Sequence, residues 1–447
     1  MERSFLGQSS DPQILSELSQ DSLVKLYEIL LDLSIVSIGF AVGHASREKS
    51  LSRHHLLLNA KPASLDKLLR DPRTAAIALK VQRELIHFAD KDSLDSNTWD
   101  LLFLPLEPIF FGLAIIEKKA IVGTLSFDKY GSISLPGLSC LAATTRHAGY
   151  ANSRVDELGR LQIDGISVEL APKAMCCGFE VVGMREEILE PLYSENSFPA
   201  AANLQINEWI ITLSRALELI RMHPPSWDLV SEFGKVIVPV ASAGENVHSS
   251  ISYASIPRAL YMSWSPLPRI IAEAMVHESD HQHFYANTLL GPQIWLDESG
   301  ESLEIFRSPW RSDPRPLGGL IRGASAFIAV GTFWNYLKDS YRNIGDDSFI
   351  PGLYALQCLE QSIDALDLIK RFGKMTNEGT KMLHAMTERA SVALSDLESC
   401  PDFSDWKILS EKTQSEHRQI WLKQHGGHDR CMNKSDGLAV RVNSSDL

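Results

Sequence analysis

Six cysteines are scattered through 447 residues, and no two are spaced as a CxxC pair. So sparse a set builds no disulfide framework and points to a reducing compartment. Positive charge is short as well: 43 Lys and Arg stand against 56 Asp and Glu, a net of −13. A nucleic-acid binder needs a basic face to displace counterions from phosphates, so that class is excluded. The opening MERSFLGQSS has no charged segment followed by an apolar one, so it does not read as a secretory signal. The longest apolar stretch, LVKLYEILLDLSIVSIGFAVG, is broken by Lys25, Glu28 and Asp32 and reads as an amphipathic or buried helix. No repeat or low-complexity block is present. The expectation is a cytoplasmic protein with neither a nucleic-acid nor a membrane partner.

What is there is the material of an ordinary globular chain, 44% hydrophobic and 22% charged, long enough for two or three domains. Residues 1–118 read as helical, with SLDKLLRDPRTAAIALKVQRELIHFAD showing apolar residues at helical spacing. Residues 119–195 change to β-branched segments around Gly and Asp turns, which predicts hairpins. Residues 196–345 hold a helix, QINEWIITLSRALELIRMH, that proline stops at Pro224-Pro225, then the strands GKVIVPVAS and ALYMSW. Further helices are expected over 346–425 and a loose tail over 426–447. The vicinal pair Cys176-Cys177 reads as structural, and the tryptophans 209, 264, 295, 310 and 334 read as core, with Trp310 placed to cover a pocket.

The chemistry is concentrated in MVHESDHQHF, residues 275–284. A helix is predicted from about Pro268 to Leu290, bounded by Pro near its first turn and by Gly291-Pro292. Residues four apart share a helix face, so His277 and His281 can present two imidazoles to one metal ion with Glu278 beside them. Ile270, Ala274, His277, His281 and Phe284 form the inward stripe. Glu273, one turn earlier, is a candidate acceptor for an imidazole N–H. His283 points off that stripe and reads as solvated. HExxH also occurs by chance, and then the histidines are merely surface or core residues.

Several segments taken in order, VIVPV, ISYASIPRALYMSW, AEAMVHESDHQH, SPWRSDPRPLGGL and GASAFIAVGTFW, resemble the HExxH-type peptide β-hydroxylases. These are iron- and 2-oxoglutarate-dependent enzymes of ribosomal-peptide modification, and the resemblance covers about residues 200–340. It implies an α+β, mainly helical fold with a zincin-like core around the HExxH helix. It implies Fe(II) held by His277, His281 and a third ligand, with sites left for 2-oxoglutarate and O2. The reaction would hydroxylate a side-chain β-carbon in a precursor peptide, possibly leader-bearing. Glu278 would be an outer-shell or base residue, and Arg311 and Arg315 would hold the cosubstrate carboxylate by bidentate geometry; their bland reading is surface salt bridges.

The sequence departs from the family pattern at one position. A histidine is expected in a Leu-His-Gly step on the following helix, and this chain reads Leu320-Ile321-Arg322-Gly323. Arginine stays protonated and does not ligate metals. Glu301 and Glu304 are alternative third ligands, and Arg322 could instead hold an anionic cosubstrate. Two rivals stay open. A zinc peptidase would use Glu278 as general base, with ALYMSW aligning a peptide by strand addition. A degenerate family member would bind a peptide or partner without catalysis.

Overall fold

A computed structural model describes residues 12–40, 44–89, 101–127, 132–138, 140–143, 149–168, 170–182, 205–242, 248–290, 293–296, 305–311, 313–341, 349–424 and 430–431. The fold is α+β and mainly helical, as expected. Hydrophobic residues gather into two large cores.

The first core joins what composition had separated. Helices Pro12–Phe40, His44–Leu58, Pro62–Arg70, Pro72–Ala89 and Glu107–Glu117 pack with an antiparallel sheet built on Ile121–Phe127 and Gly149–Val155. Ile109, Phe111 and Leu113 bury against Leu125, Val155 and Ile163, so residues on both sides of position 118 share one interior. The reason is visible in the strand: only one face of Ile121–Phe127 is apolar, and it needs a helix to cover it.

The second core surrounds a five-stranded sheet. Its order is Ser250–Ser252, Ala259–Ser263, Val236–Val240, Phe179–Val181, Ala174–Cys176. The three central strands are parallel, and both outer strands run antiparallel to their neighbours. VIVPV is a continuous apolar run because it lies inside a sheet covered on both faces. The hairpin at one end turns on Cys177 and Gly178, with φ of 51° and 91°, the left-handed pair that a two-residue primed turn requires. Cys176 is buried there and burial lifts its thiol to about 11, which fits the structural role expected of it.

Against this sheet packs the helix Pro268–Leu290, with the bounds expected of it. Helices Ile206–Met222, Pro224–Phe233 and Leu317–Leu337 contact it, and Pro351–Phe372, Asn377–Glu398 and Phe403–Gln424 complete the layer behind. Pro224-Pro225 ends one helix as predicted and also starts the next, since proline is well suited to a first turn. Leu317–Leu337 is long and apolar enough to cross a membrane, yet 78% of its most apolar window is buried, so it serves here as a core helix. The start of the predicted tail is held: Arg430–Cys431 pairs antiparallel with Ile305–Phe306.

Candidate functional site

The motif helix is not amphipathic in the usual sense. Glu278, Ser279, Asp280, Gln282 and His283, off the predicted stripe, are buried, because the sheet covers one side of the helix and four helices, Pro12–Phe40 among them, cover the rest. Burying so many polar groups demands a partner for each. The helix therefore carries separate polar clusters on different faces.

On the face shared with Leu317–Leu337, His277 and His281 stand half-buried, ring centroids 4.6 Å apart and nearly perpendicular. Phe327 meets His277 edge-on at 5.0 Å, and Trp310 lies 5.1 Å from Phe327. Trp310 can sit there because position 323 is glycine: a Cβ on Gly323 would fall 2.3 Å from the indole Cζ2. The loop carrying Trp310 is pinned by paired hydrogen bonds between Phe306 and Arg315, at 2.8 and 3.0 Å. The expected covering role of Trp310 thus has a definite seat.

Burial makes both imidazoles hard to protonate. His277 is pushed down to about 4, first by burial and then by the charge of Arg311. His281 is pushed well below its usual range by burial, by His277 and by Arg322. So Arg322, on the next helix, faces the second histidine. Its guanidinium carbon stands 5.9 Å from the ring of Tyr285, itself 6.5 Å from His281. Arg311 is mostly exposed and donates to Asp313 at 2.8 Å, and Arg315 reaches the same carboxylate at 3.0 Å. The surface ion-pair alternative describes Arg311 and Arg315 well.

Glu278 points elsewhere, toward the sheet. Burial lifts its carboxyl to about 7, against the Ser250 hydroxyl, which favours the ionised form. One of its oxygens, Oε2, is buried with no hydrogen-bond partner among the described residues, as is the Ser252 hydroxyl. The strand beside Glu278 is the sheet edge. Ser263 donates its backbone N–H to the Ser249 carbonyl at 2.8 Å, which makes 249–263 a bonded pair. By antiparallel alternation the backbone groups of Ser250 and Ser252 then face outward. No described strand occupies that outer side.

Three expectations need correction. Glu273 does not serve an imidazole: it accepts from Tyr354 Oη at 2.6 Å and Trp334 Nε1 at 3.3 Å. His283 is not solvated. It is 1% exposed, its Nε2 is 3.0 Å from Asn287 Nδ2, and its ring packs on Phe233. ALYMSW cannot align a peptide by strand addition, because Ala259–Ser263 is paired on both sides; the free edge belongs to Ser250–Ser252. Glu301 and Glu304 lie outside the described residues. Reading by sequence also passed over Tyr285, although it continues the i, i+4 series from His277 and His281. Ser250 and Ser252 had only a period-two spacing to mark them.

No family model matches the chain, and no curated protein does. The donor set must therefore speak for itself. Two neutral imidazoles suit Fe(II) or Zn(II), but among the described residues no group of three His, Cys, Asp or Glu could hold a metal ion. Arg322, which the family resemblance would have as a histidine, is a permanent cation and supplies no donor. These residues do not fit a complete Fe(II) or Zn(II) centre.

Proposed function

We propose that this protein is a relative of the HExxH peptide β-hydroxylases that binds an extended peptide segment beside its motif helix without itself catalysing metal-dependent chemistry. The observation that carries the reading is the open edge strand Ser250–Ser252 beside the motif helix, and it is supported by an arginine, Arg322 on the next helix, at the position where the resemblance implies a third ligand. An incoming strand would bond to the outward backbone of Ser250 and Ser252 and lie alongside the strand that Glu278 faces. The zincin-like description of this core belongs to the same proposal. It is supported by a mixed sheet whose antiparallel edge strand lies next to the motif helix. The segment bound would be a ribosomally made precursor peptide, met in the cytoplasm.

Selection of twelve-residue peptides from a display library tests the reading. Binders should share an extended consensus and lose affinity on Ser252→Pro, which removes one outward N–H while sparing the inner ladder. No enrichment over the Pro variant would sink it.

One observation favours the hydroxylase that the resemblance implies: His277 and His281 are adjacent and held neutral by burial, the state in which imidazole ligates. That reading, with Fe(II), 2-oxoglutarate and O2 acting on the β-carbon of a peptide residue, requires a third ligand beyond the described residues. So does the zinc peptidase. Anaerobic addition of Fe(II) and 2-oxoglutarate decides it. A visible charge-transfer band abolished by His277→Ala would restore the enzyme, and tight zinc uptake without that band would favour the peptidase.

A further inference from the structure

We propose that the His277–His281 face takes a carboxylate where an HExxH enzyme would hold its metal, with the guanidinium of Arg322 as the fixed positive charge. The inference deepens the peptide-binding reading above and rests on it for its preferred ligand, an acidic peptide.

The first support is the contrast with three other enclosed arginines. Arg53 donates to Glu107, Arg73 to Glu180 and Asp71, and Arg307 to Asp364. Arg322 has no carboxylate and no hydrogen bond among the described residues. Its guanidinium carbon lies 5.9 Å from the Tyr285 ring centroid, a cation–π contact that leaves its N–H groups available for a bidentate acceptor. The second support is the company it keeps. Arg322 and His281 flank the same Tyr285 ring, at 5.9 and 6.5 Å, so a fixed positive charge stands on the histidine face, where it repels a divalent cation and attracts an anion, in a chain of net charge −13. The third is an orphaned group: His281 Nδ1 is buried without a hydrogen-bond partner among the described residues, and in the tautomer that protonates this nitrogen the imidazole has an N–H to give to a carboxylate oxygen. Trp310 and Phe327 wall the face off on the side of His277. Exclusion of water there strengthens a charge-assisted hydrogen bond.

The carboxylate could belong to an acidic side chain, a chain terminus or a free dicarboxylic acid, and calorimetric titration separates these sources. The probes are acetyl-Ala-Glu-Ala amide, acetyl-Ala-Ala-Ala with a free terminus, glutarate, and acetyl-Ala-Gln-Ala amide as the uncharged control. At least one acid should bind about tenfold or more tighter than the control, the worth of a charged bidentate hydrogen bond. Arg322→Ala should erase that preference and Arg322→Lys keep part of it, each checked for a native melting curve. Arg322→His should lose the acid and gain the visible d–d absorption of one bound Co(II). The proposal is overturned if no acid outperforms the control, if Arg322→Ala leaves the preference intact, or if the wild type itself takes up one Co(II). The two readings part cleanly. Peptides that bind without acid preference, and fail on Ser252→Pro, remove the carboxylate site and keep the peptide edge. Glutarate binding alone keeps the carboxylate site and removes the peptide.

Discussion

Arg73 and Arg322 occupy helices in two parts of the molecule and meet opposite surroundings. Where the first core adjoins the sheet, Arg73 is fully buried and donates to both oxygens of Glu180, at 3.1 and 2.5 Å, with Asp71 at 3.2 Å. Lys173 adds its ammonium to Glu180 at 3.3 Å. Beside the motif helix, Arg322 is half-buried and faces the His281 imidazole and the phenol ring of Tyr285. An enclosed charge without a counter-charge is costly, so a fold keeps one only where water or a ligand can reach it. The first arginine is a fastener. The second has its charge turned toward whatever the site receives.

The largest expected effect breaks the fastener. Arg73→Met should cost about 3–5 kcal/mol in urea unfolding, because it leaves two buried anions, Glu180 and Asp71, to share the single ammonium of Lys173. Equal destabilisation by Arg322→Met would erase the contrast between the two regions.

The two regions should also answer pH in opposite directions. Burial lifts Glu278 from 4.5 to about 7, so between those values the folded protein holds a proton that the unfolded chain has lost. Stability therefore falls as pH rises through that window, by on the order of 3 kcal/mol at about 1.4 kcal/mol per unit. Glu278→Gln should flatten the decline in denaturation midpoints between pH 5 and 8. At the other region burial opposes the ionised form of Asp71. Arg73, Lys173 and the backbone N–H groups of Arg73 and Gly137 outweigh it and hold the carboxyl below 3.8. Its contribution is complete above 3.8 and lost as pH falls through the lower folded value, so Asp71→Asn should weaken the protein near neutrality and blunt its acid sensitivity.

Smaller effects refine the site. Gly323→Ala drives a methyl into Trp310 and should cost about 1–3 kcal/mol, the usual range for overpacking. The displaced indole should shift tryptophan emission to the red, a change absent when Trp310→Phe is the background. Smallest of all, Arg322→Met should change the free energy of urea unfolding by less than about 1 kcal/mol, since no described ion pair is lost.

Much of the local structure was legible before any coordinates. Pro268 and Gly291-Pro292 bracketed the motif helix, VIVPV and ALYMS announced buried strands, and Pro224-Pro225 marked a helix end. The histidine pair was legible for the same reason, since i, i+4 spacing is a property of one helix alone. Pairing and depth were not. ALYMSW has the composition of a peptide-aligning strand, but Ser250–Ser252 takes the edge, and edge position depends on which distant segments dock. Glu273 and His283 sit one turn or less from the histidines, yet Tyr354, Trp334 and Asn287 claim them.

Residue order alone determined that two imidazoles and a carboxylate share one helix, and that an arginine stands at position 322, because covalent spacing and helical period suffice for both. Only the tertiary structure decided that Glu278 turns to the sheet edge while His277 and His281 turn to Phe327, Tyr285 and Arg322. A side chain's partner is set by the packing of helices and strands far apart in the chain, and that packing carries no short-range signature.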